Sequence, residues 1–142
     1  MIVGLLKGSV PFMAELIKYI TVECEIDFMA VSSYSGTESM GDVKIVKDLD
    51  CSIKGMDVLV VEDIVDTGKT LEKVKKMLYT KGANDVKIVS LLDKPDRRTV
   101  EIEAEYVGFT IPNEFVIGFG LDFNQKYRNL PYVGVLKEEC YK

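Results

Sequence analysis

Histidine is absent from the 142 residues, and so is tryptophan. The first absence removes Ser-His-Asp triads, imidazole metal ligands and histidine general bases together, so any proton transfer falls to Asp, Glu, Lys or Tyr. Cysteine is scarce. Cys24, Cys51 and Cys140 are far apart and odd in number, which is neither a disulfide framework nor a zinc spacing. They read as free thiols of a reducing compartment. No apolar run approaches the ~20 residues of a membrane span, and the first residues lack the basic region of a signal peptide. A duplex-binding surface needs a basic stripe, and the chain instead carries a net charge of −5. Its densest basic cluster, Lys73, Lys75 and Lys76, falls on a helix with an apolar opposite face and reads as solvated. These absences exclude nucleic acid and membrane as partners and favour a cytoplasmic protein. Hydrophobic residues, 47% of the chain and well dispersed, suit a single domain over residues 1–142 with one core.

The informative stretch is residues 58–71. Val58, Leu59, Val60 and Val61 read as a strand buried on both faces. Glu62 and Asp63 follow at its carboxyl end, then Ile64, Val65, Asp66 and a Thr67-Gly68-Lys69-Thr70 turn. Leu71, Val74, Met77 and Leu78 then recur at helical spacing. A buried strand thus feeds a helix N-terminus, and in an open parallel sheet that crevice takes ligands. Unpaired helical N–H groups, the hydroxyls of Thr67 and Thr70, and close approach at Gly68 make a cradle for a phosphate monoester. Gly68-Lys69-Thr70 imitates the end of a Walker A loop, but that loop needs an earlier glycine where Asp63 stands. Adjacent carboxylates at Glu62 and Asp63 suit a ribose diol or hydrated Mg²⁺ instead. Without such partners they repel each other. Taken alone, Asp66 is a turn residue or helix N-cap, Lys7-Gly8 a plain turn, Lys94 an exposed loop lysine and Phe115 a core aromatic.

Residues 60–71 resemble the phosphoribosyl-pyrophosphate (PRPP) signature of the type I phosphoribosyltransferases. Leu6-Lys7-Gly8-Ser9, Ser32-Ser33-Tyr34, Lys94-Pro95-Asp96 and residues 114–129 resemble, in the same order, the hypoxanthine-guanine members of that family. The resemblance runs from Ile2 to about Leu136 and implies a purine-salvage glycosyltransferase. Such an enzyme moves 5-phosphoribosyl from PRPP to N9 of a 6-oxopurine, giving IMP or GMP and pyrophosphate, with Mg²⁺ as cofactor. By the same resemblance Asp66 faces purine N7 and handles its proton. Glu62 and Asp63 hold the ribose and, with Asp122 acting through water, the metal. Asp66, Thr67, Gly68, Lys69 and Thr70 hold the phosphate. Lys7 and Gly8, beyond a cis peptide at Leu6–Lys7, and Arg128 meet the pyrophosphate. Lys94 reaches O6, Phe115 stacks on the base, and Ile64, Val116 and Asp122 complete the base site. Ser33 and Tyr34 belong to a closing loop.

The resemblance also implies a fold: a mainly parallel α/β sheet of five core strands flanked by helices, with a small hood over the base. Family members carry several dozen residues before the first strand, where this sequence begins at once on an apolar strand at residues 2–6. A reduced hood and a homodimer or homotetramer covering that face are the expectation. Two rival readings are a non-catalytic PRPP-binding regulatory module and an inactive truncated paralogue. The first would dispense with Asp66, Lys94 or the aromatic stacker, all of which are present. Along the chain the pattern predicts a helical face over 12–20, a strand around 26–30, a lid-like loop over 32–42 and a strand over 43–47. It predicts a helix ending at Lys81-Gly82, strands over 86–92 and 105–111, an extended piece over 115–119, and a last strand over 132–136.

Overall fold

A computed structural model describes residues 1–33 and 43–142 of the chain. Strands β1 (Ile2–Leu5), β2 (Ile26–Ser33), β3 (Val43–Lys47), β4 (Asp57–Val65), β5 (Asp85–Asp93) and β6 (Tyr106–Thr110) form one sheet in the order β3-β2-β1-β4-β5-β6. All neighbours pair parallel except β2 and β3, which run antiparallel. The expected five-stranded parallel core is therefore present, with β3 added antiparallel at one edge. Helix α1 (Val10–Leu16) follows β1, and helix α2 (Lys69–Thr80) links β4 to β5. A separate antiparallel pair, β7 (Val116–Ile117) with β8 (Gly134–Val135), carries the C-terminal part. Among the described residues no helix is long and apolar enough to cross a membrane.

β4 lies between β1 and β5, which is why its sequence is apolar on both faces: Val58, Val60, Val61 and Val65 are all buried. On one face α2 buries Leu71, Val74 and Leu78 against Val60, Val65, Val86 and Ile88. Burial of this kind contributes about 1.5–3 kcal/mol per large apolar side chain. On the other face α1 lays Met13 against Ile2, Val61 and Val89, with Phe12, Leu16 and Ile17 around it. Helix α2 ends where the sequence places its stop. Lys81 closes the last turn, and Gly82 takes φ 97°, a left-handed value that glycine adopts without strain.

Several boundaries differ from the sequence reading. β4 does not stop at Val61 but runs on to Val65, because β5 continues to pair with it through Glu62↔Ser90, Ile64↔Leu92 and Val65↔Asp93. The acids therefore sit inside the strand rather than beyond it. β2 runs through Ser32 and Ser33, held by pairing with β3, so the predicted loop starts later than residue 32. Tyr34 and the rest of that loop, up to residue 42, lie outside the described residues. The helical face over 12–20 is an α-helix only to Leu16 and tightens to a 3₁₀ turn over Ile17–Tyr19. The extended piece over 115–119 shrinks to β7, since Phe119 turns to φ 50°. The last strand shrinks to Gly134–Val135.

One buried acid ties the sheet edge together. Asp27, 8% exposed, accepts the Phe28 amide at 2.7 Å and the Asp50 amide at 2.8 Å, with Lys47 Nζ at 3.4 Å. Burial pushes its carboxyl up, but the Asp50 and Phe28 amides and the Lys47 ammonium outweigh it and hold the group below the ordinary carboxylate value. A depressed folded-state pKa gives stability that is present at neutral pH and lost as pH falls through the folded value. Asp27→Asn should therefore lower stability by about 1–3 kcal/mol at pH 7. Its deficit against the parent should shrink below pH 4. Thermal melts across pH 2–8 check both, and a deficit that persists unchanged in acid would contradict the linkage.

Candidate active site

The site is built where β4 outruns its neighbour. β1 pairs with Leu59, Val60 and Val61 only, so from Glu62 onward one backbone edge of β4 is open. The carboxylates occupy that edge: Glu62 Oε1 accepts the Asp63 amide at 3.1 Å, and Asp63 Oδ1 accepts the Ile64 amide at 2.8 Å. Burial first, and the Asp63 charge second, push the Glu62 carboxyl well above the ordinary carboxylate range. The loop after β1 closes on the same edge. The Leu6–Lys7 peptide is cis, as the resemblance implies. A side chain at Gly8 would collide with the Asp63 carboxylate, so only glycine lets the two meet. A side chain at Gly120 would likewise collide with the Gly8 carbonyl. Arg128 holds that wall, donating through Nη1 to the Gly120 carbonyl at 2.7 Å, with its Nη2 at 3.5 Å from Asp122. Among the described residues its Nε is buried without a partner, and so is the hydroxyl of Ser9, next to Gly8 in the chain.

After Val65 the chain turns through Asp66 and Thr67 into α2. The cap is not Asp66. Gly68 occupies the N-cap position at φ 87° with no side-chain cap bond, and Thr67 Oγ1 accepts the Lys69 amide at 3.4 Å. The Asp66 carboxylate is drawn away by Arg97, whose Nε donates to Oδ1 at 3.0 Å. A cavity of about 230 Å³ opens here, lined by Glu62, Ile64, Asp66, Thr67, Gly68 and Thr70. Its chemistry is hydroxyls, carboxylates and the free amides of a helix start, which suits a phosphorylated sugar.

A second cavity of about 390 Å³ shares Asp66 with the first and adds Lys94, Arg97, Asn113, Phe115 and Tyr141. Lys94 follows β5 and is buried, unlike an ordinary loop lysine; the resemblance gives it a base contact. It is 8% exposed, its amide bonded to the Val65 carbonyl at 2.9 Å. Phe115 lines the cavity, stacked on Tyr141 with ring centroids 5.0 Å apart and meeting Phe123 at 86°. Val116, next to it, begins β7. Arg98 bolts the strand ends together. It donates through Nη1 to the Asp66 carbonyl at 2.7 Å, and its Nη2 pairs with the Asp93 carboxylate. A larger cavity of about 770 Å³ lies beyond Arg98, against Val100, Glu101, Glu103 and Val107. It has none of the residues above except Arg98 and Asp93, and lies outside the candidate site.

Ile64, Asp66 and Lys94 thus come together around two adjoining cavities, with Glu62 in the first and Phe115 in the second. Gly8, next to Lys7 in the chain, meets the Asp63 carboxylate, and Arg128 is tied to Gly120, which meets the Gly8 carbonyl. Among the described residues no three acidic, cysteine or histidine side chains converge to hold a metal by themselves. Asp122 is engaged instead with Arg128 and the Gln125 amide, the latter at 2.9 Å. The sequence reading missed Arg97, Arg98 and Tyr141. Two consecutive arginines directly after the Lys94-Pro95-Asp96 turn were the available signal for the first two.

A family model described as the phosphoribosyl transferase domain matches residues 1–124. A hypoxanthine-guanine phosphoribosyltransferase of Lactococcus lactis subsp. lactis is 62% identical over 142 residues, which is 99% of this chain and 77% of that protein. A crystal structure of a hypoxanthine phosphoribosyltransferase from Staphylococcus aureus superposes with a TM-score of 0.95 at 56% identity, covering 99% of this chain and 77% of the other. The Trypanosoma cruzi hypoxanthine phosphoribosyltransferase in complex with the product IMP superposes with a TM-score of 0.93 at 43% identity, covering 99% of this chain and 76% of that one.

Proposed function

Because the chain belongs to the phosphoribosyltransferase family, we propose that it transfers 5-phosphoribosyl from PRPP to N9 of hypoxanthine or guanine. The products are IMP or GMP and pyrophosphate, a purine-salvage reaction. The observation that carries this reading is Asp66 standing between a phosphate-type cavity and an aromatic cavity floored by a buried lysine. Thr67, Gly68, Lys69 and Thr70 bind the 5-phosphate through hydroxyls and amides. Glu62 and Asp63 take the ribose hydroxyls. Lys7, Gly8 and Arg128 receive the leaving pyrophosphate. In the second cavity Phe115 stacks on the base and Lys94 donates to O6, an atom that adenine replaces with an amino donor; Ile64, from the adjoining cavity, and the Val116 backbone complete the base contacts. Asp66 accepts a hydrogen bond at N7 and takes up the proton released as N9 bonds to C1.

The donor chemistry fits Mg²⁺. Hard carboxylate oxygens at Glu62 and Asp63 crowd an open strand edge, and this ion is bound by one or two carboxylates together with substrate phosphates. Asp122 would join through water. When bound, Mg²⁺ neutralises charge on the pyrophosphate. Residues 1–142 are taken as one catalytic unit, since the site draws on residues from Lys7 to Tyr141. Three free thiols suit a cytoplasmic setting.

Pyrophosphate release with PRPP, Mg²⁺ and each of hypoxanthine, guanine, xanthine and adenine tests the proposal. Turnover with 6-oxopurines and little with adenine is expected. No turnover with any base would overturn it and leave the regulatory-module reading. Lys94→Ala should raise the KM for the purine by roughly 10-fold or more, as loss of a charge-assisted hydrogen bond costs about 1.5–3 kcal/mol. The PRPP KM should stay within about 2-fold while discrimination against adenine weakens. Equal loss of both affinities would instead mark a folding defect. The first-strand face expected to need a partner subunit is buried within the chain, at Ile2, Val3 and Leu5, so the homodimer or homotetramer that completes the proposal rests instead on the exposed Tyr106, Val107 and Phe109 of β6. Light scattering over a dilution series should show no monomer at micromolar concentration; a stable, fully active monomer would contradict it.

A further inference from the structure

We propose that Tyr141 is a positioning residue for the base site: its ring fixes the plane of Phe115 and so presets the platform on which the purine stacks. The inference rests on the proposed base site. Phe115 needs such support, because it precedes a strand of only two residues and is partly exposed in the cavity lining. The support comes from the same small sheet. Val116 pairs with Val135 and Ile117 with Gly134, and the Leu136 amide donates to the Phe115 carbonyl at 2.8 Å. A 3₁₀ turn over Glu138–Cys140 then reverses the chain, with the Tyr141 amide on the Glu138 carbonyl at 3.1 Å. That turn lays the Tyr141 ring over Phe115, the centroids 5.0 Å apart and the planes 26° from parallel.

Tyr141 braces rather than plugs. A base inserted between the two rings would need two stacking gaps of about 3.5 Å each, more than the 5.0 Å present. With Tyr141 in place the cavity still measures about 390 Å³, within the ~300–1,000 Å³ of small-molecule sites, and Phe115 is still 36% exposed. The base therefore takes Phe115 surface that Tyr141 leaves open. Tyr141 covers the rest, and Phe123, perpendicular at 86°, limits rotation from another side.

Steady-state kinetics with hypoxanthine and PRPP varied separately test this in Tyr141→Ala, Tyr141→Leu and Tyr141→Phe. Aromatic pairs of this kind correspond to a factor on the order of 3- to 10-fold. Tyr141→Ala and Tyr141→Leu should raise the base KM by that factor, with the PRPP KM and kcat within about 2-fold of the parent. Tyr141→Phe, which keeps the ring, should restore the parent base KM. A base KM that falls in Tyr141→Ala would show that the ring competes with the base, and overturn the inference. So would an unchanged base KM, an equal rise in both KM values, or a Phe variant behaving like Ala. If Tyr141→Ala does not fold, Tyr141→Leu decides by the same criteria. A parent protein that turns over none of the four bases overturns the base-site reading, and this inference with it. Parent turnover with unaffected variants overturns this inference alone.

Discussion

Asp66→Asn is expected to lower kcat by about 10²–10⁴-fold, the usual worth of a positioned general acid or base. PRPP affinity should stay within a few-fold of the parent. The asymmetry follows from the surroundings of the side chain. Its carboxylate is about half exposed, faces both cavities, and holds Arg97 Nε on Oδ1 at 3.0 Å. Among the described residues nothing is bonded to Oδ2, the oxygen left for a substrate proton. An asparagine carbonyl still accepts from Arg97, so the turn keeps its tie. The proposed phosphate cradle should also survive, because it would be made by the backbone at residues 67–70 and by the threonine hydroxyls, not by the Asp66 side chain. Only basicity is removed. Initial-rate kinetics paired with calorimetric PRPP binding separate the two effects. Near-normal turnover would reduce Asp66 to a partner of Arg97. A matching loss of PRPP affinity would mean that the turn itself depends on the charge.

What could be read from the sequence here follows the distance over which each signal acts. The apolar run at Val58–Leu59–Val60–Val61, the glycine turn at Gly68 and the spacing of Leu71, Val74 and Leu78 are local. They put a strand, a turn and a helix in the right places, and through the family resemblance they put names to the residues. The extension of β4 through Glu62 and Asp63 is not local. It depends on β5 reaching as far as Asp93, so an acidic pair that reads as a strand end is in fact strand. The cap at Asp66 failed for a related reason. An aspartate before a helix is a good cap by itself, but Arg97, 31 residues away in sequence, competes for the carboxylate with a full charge. Lysine is usually exposed, so residue type alone says nothing of the burial of Lys94, which only the resemblance puts in a site. Tyr141 lay beyond any pattern, since its role depends on a 3₁₀ turn and on pairing between two two-residue strands.

Glu62→Gln combined with Asp63→Asn is expected to abolish productive PRPP binding and yet raise the melting temperature of the metal-free protein. Both effects come from the open edge of β4. Two adjacent acids there have no cation among the described residues; the Asp63 and Ile64 amides satisfy one oxygen of each, and the two carboxyl groups face one another. The elevated affinity of Glu62 for its proton, caused by burial and by the Asp63 charge, is the signature of that crowding. Amide side chains keep the shape and still accept the Asp63 and Ile64 N–H groups. Repulsion therefore goes while the hydrogen bonds stay. The same change removes the charge that the proposed ribose and Mg²⁺ contacts need, so the binding site should be lost where the fold gains. Functional sites commonly hold such unfavourable arrangements against the stability of the empty protein. Differential scanning calorimetry in chelator at neutral pH, beside calorimetric titration with PRPP and Mg²⁺, reads the two arms independently. Each single variant should show part of the gain. A double variant that melts clearly below the parent would mean that the acids support the fold through an interaction other than these amides. One that still binds PRPP at parental affinity would remove Glu62 and Asp63 from the ribose and metal site.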